Sequence, residues 1–326
     1  MEQQGLFENR INLDNISQSL ASMQSETGKI IIGQQKLIEQ LLIAVLANGH
    51  VLIEGVPGLA KTLSAKIIAK LISADFTRIQ FTPDLMPSDI VGTNVFNMSK
   101  ANFEFNKGPV FSNIVLIDEI NRAPAKTQSA LFEVMEERQV TVDGKTYPMS
   151  EPFLVFATQN PIEHEGTYRL PEAQLDRFMF KIKVEYPTLE QEKMILQAQH
   201  ERKEKKQLQD MKPVVSGKSI VEYQQLVPHI HIEEKLMQYI AQIVNSTRMN
   251  NAIYLGASPR ASINMMIASK ACAICRGRDF VTPDDIKEIA FPVLNHRIIL
   301  TPEKEMEGAT VEDVLRQILQ TIEIPR

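Results

Sequence analysis

"LIEGVPGLAKT", residues 52–62, runs from an apolar stretch through a glycine-containing turn into a stretch of helical periodicity. It comes within one residue of the usual phosphate-binding loop: glycine, four free positions, glycine, lysine, then serine or threonine. Gly55 opens the loop and Lys61-Thr62 closes it, but Ala60 stands where the second glycine belongs. Such a loop turns backbone N–H groups and a helix N-terminus toward an anion, while lysine supplies a charge and the hydroxyl binds magnesium. Because alanine adds only a methyl group, we expect a helical backbone at Ala60 to accommodate it.

Two other strand-like stretches end in residues suited to phosphate chemistry. "SNIVLIDEI", residues 112–120, predicts a buried strand that ends in Asp118 and Glu119, and "PFLVFATQN" predicts one that ends in Asn160. Ligands of parallel sheets bind at the carboxyl ends of the strands. Asp118 therefore suits Mg²⁺, through water, and Glu119 suits polarising the attacking water. The amide of Asn160 can reach a γ-phosphate and position that water.

Short apolar segments alternate with helical ones around these motifs. Helices are expected at residues 34–47, 62–72 and 124–137, and a further strand at "TRIQF". This alternation predicts an α/β fold whose parallel sheet is covered on both faces by helices. "RQVTVDGKTYPM", with Asp143-Gly144 at its centre, predicts an antiparallel hairpin, and residues 82–111 form an irregular insertion.

The composition changes after Tyr186-Pro187, and the chain then reads as a series of amphipathic helices. "TPDD" marks one helix start clearly, with Thr282 as N-cap and Pro283 in the first helical position. The sequence thus predicts two domains, an α/β nucleotide-binding core over residues 1–188 and an all-α domain over residues 189–326.

Composition excludes several other classes of protein. The 326 residues are 44% hydrophobic, enough for two cores, and carry a net charge of −5. The acidic balance and the 6% of aromatic residues argue against a nucleic-acid-binding protein. No apolar run approaches the roughly 18 residues of a membrane span, and the N-terminus lacks a secretory profile. Cys272 and Cys275 are expected to be core residues rather than metal ligands. A cytoplasmic protein is expected.

Four long segments together resemble the MoxR family of AAA+ ATPases. They are "GVPGLAKT", "LIDEINRAPAKTQSALFEVMEERQVTVDG", "FATQNPIEHEGTYRLPEAQLDRF" and "LGASPRA". The resemblance extends over roughly residues 29–300, and in this family alanine does precede the lysine of the loop. It implies that the insertion at 82–111 is the helix-2 insert, that the hairpin is the pre-sensor hairpin, and that the second domain is the lid.

The resemblance also implies roles for individual residues. Asn160 matches sensor 1, and Arg260, in "GASPRA", matches sensor 2 on the lid. Arg177, in "LDRF", is the expected arginine finger, with Arg122 and Arg169 left open as alternatives. The expected binding residues for ATP and Mg²⁺ are those of the phosphate loop and of the turn that lines the adenine pocket: Gly33, Gln34, Gly55, Val56, Pro57, Gly58, Leu59, Ala60, Lys61, Thr62 and Leu63, with Thr62 and Asp118 toward the metal. Arg169 departs from the family pattern, where proline is expected.

By this resemblance the chain is an ATP hydrolase that works as a ring, a hexamer, and acts as a chaperone-like factor in maturing or assembling partner complexes. Proteins with a von Willebrand factor A domain are the implied partners, and metal insertion is one form that the activity takes. Three alternatives remain at this point: a magnesium-chelatase-like motor subunit, a DNA-linked AAA+ ATPase, and a non-hydrolysing nucleotide-binding scaffold, against which Glu119 and Asn160 both speak. The second would need a basic binding domain, and Lys145 in the hairpin is thin support for one.

Overall fold

The computed structural model describes residues 13–161, 167–168, 170–202, 208 and 211–325. By its contacts the chain divides into two compact units. The sheet unit comprises Met23–Leu41 and Asn48–Val221, and the helical unit comprises Met1–Ser22, Leu42–Ala47 and Glu222–Arg326. The predicted boundary at residue 188 falls inside the sheet unit, and the division into core and lid at that residue stays a prediction.

A five-stranded sheet in which every pairing is parallel forms the centre of the sheet unit. In chain order we label its strands β1 Val51–Glu54, β2 Phe76–Gln80, β5 Ile114–Asp118, β8 Leu154–Gln159 and β9 Phe180–Lys183. Their order across the sheet is β2-β5-β8-β1-β9. The three inner strands are almost wholly buried and the two edge strands only partly. Burial on both faces explains the continuous apolar runs of the inner strands.

The register of the strands brings their carboxyl ends together. Gln80 of β2 lies opposite Asp118 of β5, and Glu54 of β1 lies opposite Gln159 of β8. Residues that directly follow these strands therefore meet at one edge of the sheet. This is the edge at which the sequence placed its candidate residues.

Among the described residues of the sheet unit, helices α3 Lys61–Leu71, α4 Pro87–Val91, α5 Ala125–Glu137 and α6 Glu172–Leu175 lie between strands of the chain. Helix α3 starts directly at the end of the phosphate loop and buries most of its apolar side chains. The longer helix α7, Leu189–Arg202, follows β9. Helices α1 Asp14–Gly28 and α2 Gln35–Leu46 precede the sheet, and each spans the division between the units.

Two antiparallel hairpins are attached to the parallel sheet. The predicted hairpin consists of β6 Gln139–Val142 and β7 Lys145–Pro148, and both turn residues, Asp143 and Gly144, have positive φ. The insertion at 82–111 contains α4 and a second hairpin of β3 Gly92–Asn97 and β4 Asn102–Lys107. The sequence did not predict this second hairpin or the edge strand β9.

The helical unit matches the predicted series of helices. Its remaining helices are α8 Gly217–Leu226, which begins in the sheet unit, and then α9 Glu234–Met249, α10 Pro259–Cys275, α11 Pro283–Leu294, α12 Pro302–Met306 and α13 Val311–Thr321. The unit also contains a short antiparallel pair of strands, β10 Ile253–Leu255 and β11 Ile299–Leu300. Thr282 is the N-cap of α11, as predicted, and Asp285 accepts hydrogen bonds from its backbone N–H and its hydroxyl. Among the described residues, no helix has the length and apolarity needed to cross a membrane.

Candidate functional site

The phosphate loop connects β1 to α3, as the motif requires. The backbone N–H of Gly55 donates to the carbonyl of Gln159 at 3.2 Å, which joins the start of the loop to β8. The ammonium group of Lys61 donates to the carbonyl of Gly55. Gly58 has φ +87° and no heavy atom within 4 Å of the position of an added Cβ. Positive φ, rather than a lack of space, is therefore what favours glycine at this position.

Ala60 departs from the expectation of an ordinary helical backbone. It is the N-cap of α3 and lies in the left-handed region, with φ 58° and ψ 17°. For an L-residue with a Cβ this conformation costs roughly 1–2 kcal/mol, which explains why glycine is usual at this position. The methyl group is tolerated sterically, but the loop keeps Ala60 in a strained conformation.

Asp118, at the end of β5, has a side chain only 8% exposed. Its carboxylate accepts from the Nε of Arg78 at 2.5 Å and from the hydroxyl of Thr158 at 3.1 Å. The hydroxyl of Thr62, on α3, lies 3.4 and 3.5 Å from the two carboxylate oxygens. Thr62 and Asp118, which the sequence predicts to face a common site, therefore lie next to each other in the structure.

Glu119 follows Asp118 and also has a left-handed backbone, with φ 58° and ψ 53°. Its N–H donates to the hydroxyl of Thr158 at 3.0 Å, so that one threonine contacts both acidic residues. Its carboxylate accepts from the side-chain amide of Gln80 at 2.8 Å and pairs with Arg122 at 3.1 Å. The strained backbone turns Glu119 out of the strand direction, as is common where a site uses a special conformation.

These residues line one open pocket of about 380 Å³. Its lining combines loop residues with polar residues from the carboxyl ends of β2, β5 and β8: Pro57, Gly58, Leu59, Ala60, Lys61, Thr62, Leu63, Arg78, Gln80, Asp118, Glu119, Thr158 and Asn160. Asn160 is buried, 7% exposed, directly after β8. Of the predicted residues, Gly55 and Val56 lie just before this lining, and the others of the loop belong to it.

The turn assigned to adenine binding lies outside that lining. Gly33 has φ +81°, and an added Cβ would approach the side chain of Gln191 on α7 to 3.0 Å. The amide of Gln34 donates to the carbonyl of Glu185 at 3.1 Å. This turn is thus packed against the segment that leads into α7, and its contact with adenine stays a prediction.

The arginines with predicted roles have different surroundings. Arg177, after α6, donates from Nη1 to the carbonyl of Phe132 on α5, and Arg122 pairs with Glu119 of its own chain. Arg169 lies outside the described residues. Arg260 is exposed in the first turn of α10, within the helical unit. The assignments of Arg177 as finger and Arg260 as sensor 2 stay predictions.

Three residues of the pocket were not predicted from the sequence: Arg78, Gln80 and Thr158. Arg78 and Gln80 are alternate residues of β2, and alternate residues of a strand point to the same face. The signal was present in "TRIQF", where two long polar side chains occur in an edge strand. Recognising it would have required the strand pairing, which places β2 beside β5.

Cys272 and Cys275 lie in α10 in the helical unit. Cys272 is fully buried, and burial, together with the nearby Asp285, raises the pKa of its thiol far above the usual value. A thiol that stays protonated is a weak nucleophile and a poor metal ligand.

Two family models match the chain. Residues 50–180 match the AAA_3 family, described as an ATPase family associated with various cellular activities, and residues 245–318 match an AAA lid domain. The first match covers the sheet from β1 to the start of β9, together with the pocket. The second lies wholly within the helical unit.

Individual relatives are similar over nearly the whole chain. The chain is 44% identical over 310 residues to "Chaperone MoxR1" of Mycobacterium tuberculosis, which covers 92% of this chain and 81% of that protein. It is 45% identical over 297 residues to the "Uncharacterized protein YeaC" of Bacillus subtilis, covering 91% and 92% of the two chains. The crystal structure of a candidate ATPase from Cytophaga hutchinsonii is 45% identical, covers 97% of each chain and superposes with a TM-score of 0.88.

Proposed function

Because the chain belongs to the MoxR family of AAA+ ATPases, we propose that it binds ATP with Mg²⁺ in the pocket of the sheet unit and hydrolyses it to ADP and phosphate. One observation carries the proposal. Lys61, Thr62, Asp118, Glu119 and Asn160 come from three separate segments of the chain and line the same pocket. A phosphate-holding charge, oxygen ligands for a hard cation and a carboxylate for the water are the parts that phosphoryl transfer needs.

Each side chain has a distinct task in this proposal. The loop N–H groups and the start of α3 hold the phosphates, and Lys61 adds a positive charge. Glu119 orients and polarises the attacking water, and Asn160 positions that water against the γ-phosphate. Gln80 and Arg122 both contact Oε2 of Glu119 in this structure and hold its carboxylate in the pocket.

The donor set at Asp118 fits Mg²⁺. This hard cation prefers oxygen ligands and keeps several of its waters, and the Thr62 hydroxyl and Asp118 carboxylate offer oxygens 3.4 and 3.5 Å apart. When bound, the cation would neutralise charge on the β- and γ-phosphates. Thr62 would then hold it directly, and Asp118 would accept hydrogen bonds from its waters.

Two substitutions separate binding from hydrolysis. Lys61→Ala should weaken ATP binding at least about tenfold, because a charged hydrogen-bond donor is lost. Glu119→Gln should bind ATP normally but hydrolyse it on the order of 100-fold more slowly, because the amide is not a base. Binding is measured by titration calorimetry with a non-hydrolysable analogue, and turnover by phosphate release.

Each variant has a matched control in the sheet unit. Lys66 is exposed on α3 and Glu133 is exposed on α5, and neither lines the pocket. Lys66→Ala and Glu133→Gln should behave as the wild type does. Normal turnover by Glu119→Gln, with both controls also normal, would show that the proposed base is wrong.

We further propose that the protein works as a homo-oligomeric ring in which Arg177 completes the site of a neighbouring subunit. An arginine finger stabilises charge on the transferred phosphoryl group and contributes on the order of 10³-fold in rate. Mixing Arg177→Ala with Glu119→Gln subunits should therefore restore hydrolysis at the sites of the Arg177→Ala subunits, because these sites keep Glu119 and receive the finger of a Glu119→Gln neighbour. Confirmed subunit exchange without restored hydrolysis would exclude Arg177, and Arg122 and Arg169 would be tested next.

The proposed output of the ATPase cycle is chaperone-like action on partner proteins, in the cytoplasm. Its support is the 44% identity to a relative named as a chaperone, and the partners proposed from the family resemblance are proteins with a von Willebrand factor A domain. The Glu119→Gln variant should retain such a protein in ATP and release it in ADP. Equal retention of a purified von Willebrand factor A domain in both nucleotides, or in neither, would contradict a nucleotide-driven partnership.

A further inference from the structure

The carboxylate assigned to Mg²⁺ has a cationic partner within its own chain. Arg78 Nε lies 2.5 Å from Asp118 Oδ2. The two side chains differ in exposure, 48% for Arg78 and 8% for Asp118. The buried carboxylate is therefore neutralised by a guanidinium that lies partly in solvent at the rim of the pocket.

The position of Arg78 follows from the pairing of the edge strand. β2 pairs with β5 in parallel, and Arg78 lies opposite Leu116 while Gln80 lies opposite Asp118. Arg78 also donates from Nη2 to Gln80 at 3.3 Å, and Gln80 donates in turn to Glu119 at 2.8 Å. A single chain of side-chain contacts thus runs from Asp118 through Arg78 and Gln80 to Glu119.

We propose that Arg78 competes with Mg²⁺ for Asp118. With no metal in the site, Arg78 neutralises the buried carboxylate, and the phosphates of a metal-free nucleotide then meet a pocket without an unpaired negative charge. Arg78 would turn toward solvent when the cation is bound, because two cations on one carboxylate repel each other. This inference rests on the proposed function, since it assumes that a nucleotide with Mg²⁺ binds at this pocket.

Two features distinguish such a competitor from a purely structural ion pair. About half of the Arg78 side chain already contacts solvent, so that the ion pair is weakened by water and its guanidinium needs little further hydration to leave. Asp118 also keeps a second donor, Thr158, at 3.1 Å. Departure of Arg78 therefore leaves the carboxylate held in place for the hydrated cation.

The test measures ADP binding, which involves no hydrolysis, by titration calorimetry in Mg²⁺ and in excess EDTA. For each protein the ratio of the two dissociation constants gives the contribution of the metal. In Arg78→Gln, binding in EDTA should weaken, because the phosphates face an unneutralised Asp118, while binding in Mg²⁺ should change little. The ratio should rise on the order of tenfold, as expected for the loss of one unit charge at the pocket rim.

Two further variants complete the design. Arg78→Lys keeps the charge and should keep the wild-type ratio. Lys100→Gln removes an exposed charge in the turn after β3 and should also leave the ratio unchanged. A second measurement needs no nucleotide: Mg²⁺ alone should raise the melting temperature of Arg78→Gln more than that of the wild type, because its unpaired Asp118 can take up the cation.

The outcomes separate this inference from the proposed function. If the wild type fails to bind ADP in Mg²⁺, the proposed function is wrong. If the wild type binds and Arg78→Gln shows an unchanged ratio, or loses binding mainly in Mg²⁺, then Arg78 is a structural partner of Asp118 and the inference is overturned. Should Arg78→Gln be too unstable for titration, an equal response of its melting temperature and that of the wild type to Mg²⁺ alone overturns it as well.

Discussion

Each unit of the molecule contains a buried aspartate paired with arginine, and the two sites differ in how completely the carboxylate is enclosed. Asp118 of the sheet unit is 6% exposed and faces an open pocket. Asp285 of the helical unit is 0% exposed and forms the capping box at the N-terminus of α11 with Thr282. The same ion pair chemistry thus occurs once beside a cavity and once inside a closed cluster.

Asp285 has a full set of donors. Arg276 and Arg278 both reach its Oδ1, at 2.8 and 2.6 Å, and Arg278 also reaches Oδ2 at 2.9 Å. The N–H of Thr282 adds a bond at 2.8 Å. Burial alone would raise the pKa of Asp285, but these hydrogen bonds and the charge of Arg278 outweigh burial and hold the pKa below its usual value.

Asp118 has fewer close hydrogen-bond donors than Asp285. It accepts from Arg78, whose side chain is about half exposed, and from the hydroxyl of Thr158, while the hydroxyl of Thr62 lies at the limit of hydrogen-bond distance. A carboxylate with all its lone pairs satisfied from within the fold stabilises that fold. One with a loosely held partner can exchange it for a cation, and this difference separates a structural aspartate from a candidate metal ligand.

The largest effect on stability is expected at the closed cluster. Asp285→Ala leaves two arginines without their buried partner and should lower the free energy of unfolding by about 3 kcal/mol or more. Asp118→Ala should cost less, because Arg78 can turn to solvent, although it should abolish Mg²⁺-dependent hydrolysis. Urea denaturation of both variants measures the difference. The neighbouring Asp284 is exposed, and Asp284→Ala is the control. Equal losses for Asp285→Ala and Asp118→Ala would contradict the comparison.

The next-largest effect on stability is expected at His50, a buried base at the opposite end of the strands from the pocket. His50 precedes β1, accepts from the N–H of Val155 at Nδ1 and contacts the carbonyl of Met135 through Nε2. Burial and the charge of Arg138 lower its pKa to about 3. At pH values between about 3 and 6.5, His50 is protonated in the unfolded chain but not in the folded chain. The free energy of unfolding therefore falls as the pH falls.

The free energy of unfolding should therefore be about 2 kcal/mol lower at pH 5 than at pH 8 on account of His50. His50→Gln removes the titrating group and should flatten the curve between these pH values, at some cost in stability at pH 8. His229 is exposed, and His229→Gln should keep the wild-type slope. A slope that survives in His50→Gln would assign the acid sensitivity to other groups.

The smallest effect concerns the strain that marks the open site. Ala60→Gly relieves a left-handed alanine, with φ 58°, but adds freedom to the unfolded chain, for a net gain of about 0.5–1 kcal/mol. Gly58→Ala, with φ +87°, should cost about 1 kcal/mol by the same argument. Thermal melting of both variants checks the signs. Destabilisation by Ala60→Gly would mean that the loop relies on its methyl group.

Much of the site was predictable because its residues lie at the ends of apolar strands. Asp118 ends such a strand, Glu119 and Asn160 directly follow one, and the parallel pairing then brings them together. The edge strand β9 was not recognised, because alternating Lys residues in Phe180–Lys183 leave it only partly apolar. The second hairpin was not recognised either, since several of its apolar residues are exposed, Phe103 among them at 70%.

By itself the sequence determined the periodicity of the elements, the phosphate loop between β1 and α3, and the two consecutive acidic residues where β5 ends. These are local properties, set by side-chain spacing and by what the backbone can adopt over a few residues. Only the tertiary structure decided the left-handed backbone conformations of Ala60 and Glu119 and the pairing of Arg78 with Asp118. Residues 78 and 118 belong to strands far apart in the chain, and their contact depends on the register of β2 against β5, which spacing along one strand does not specify.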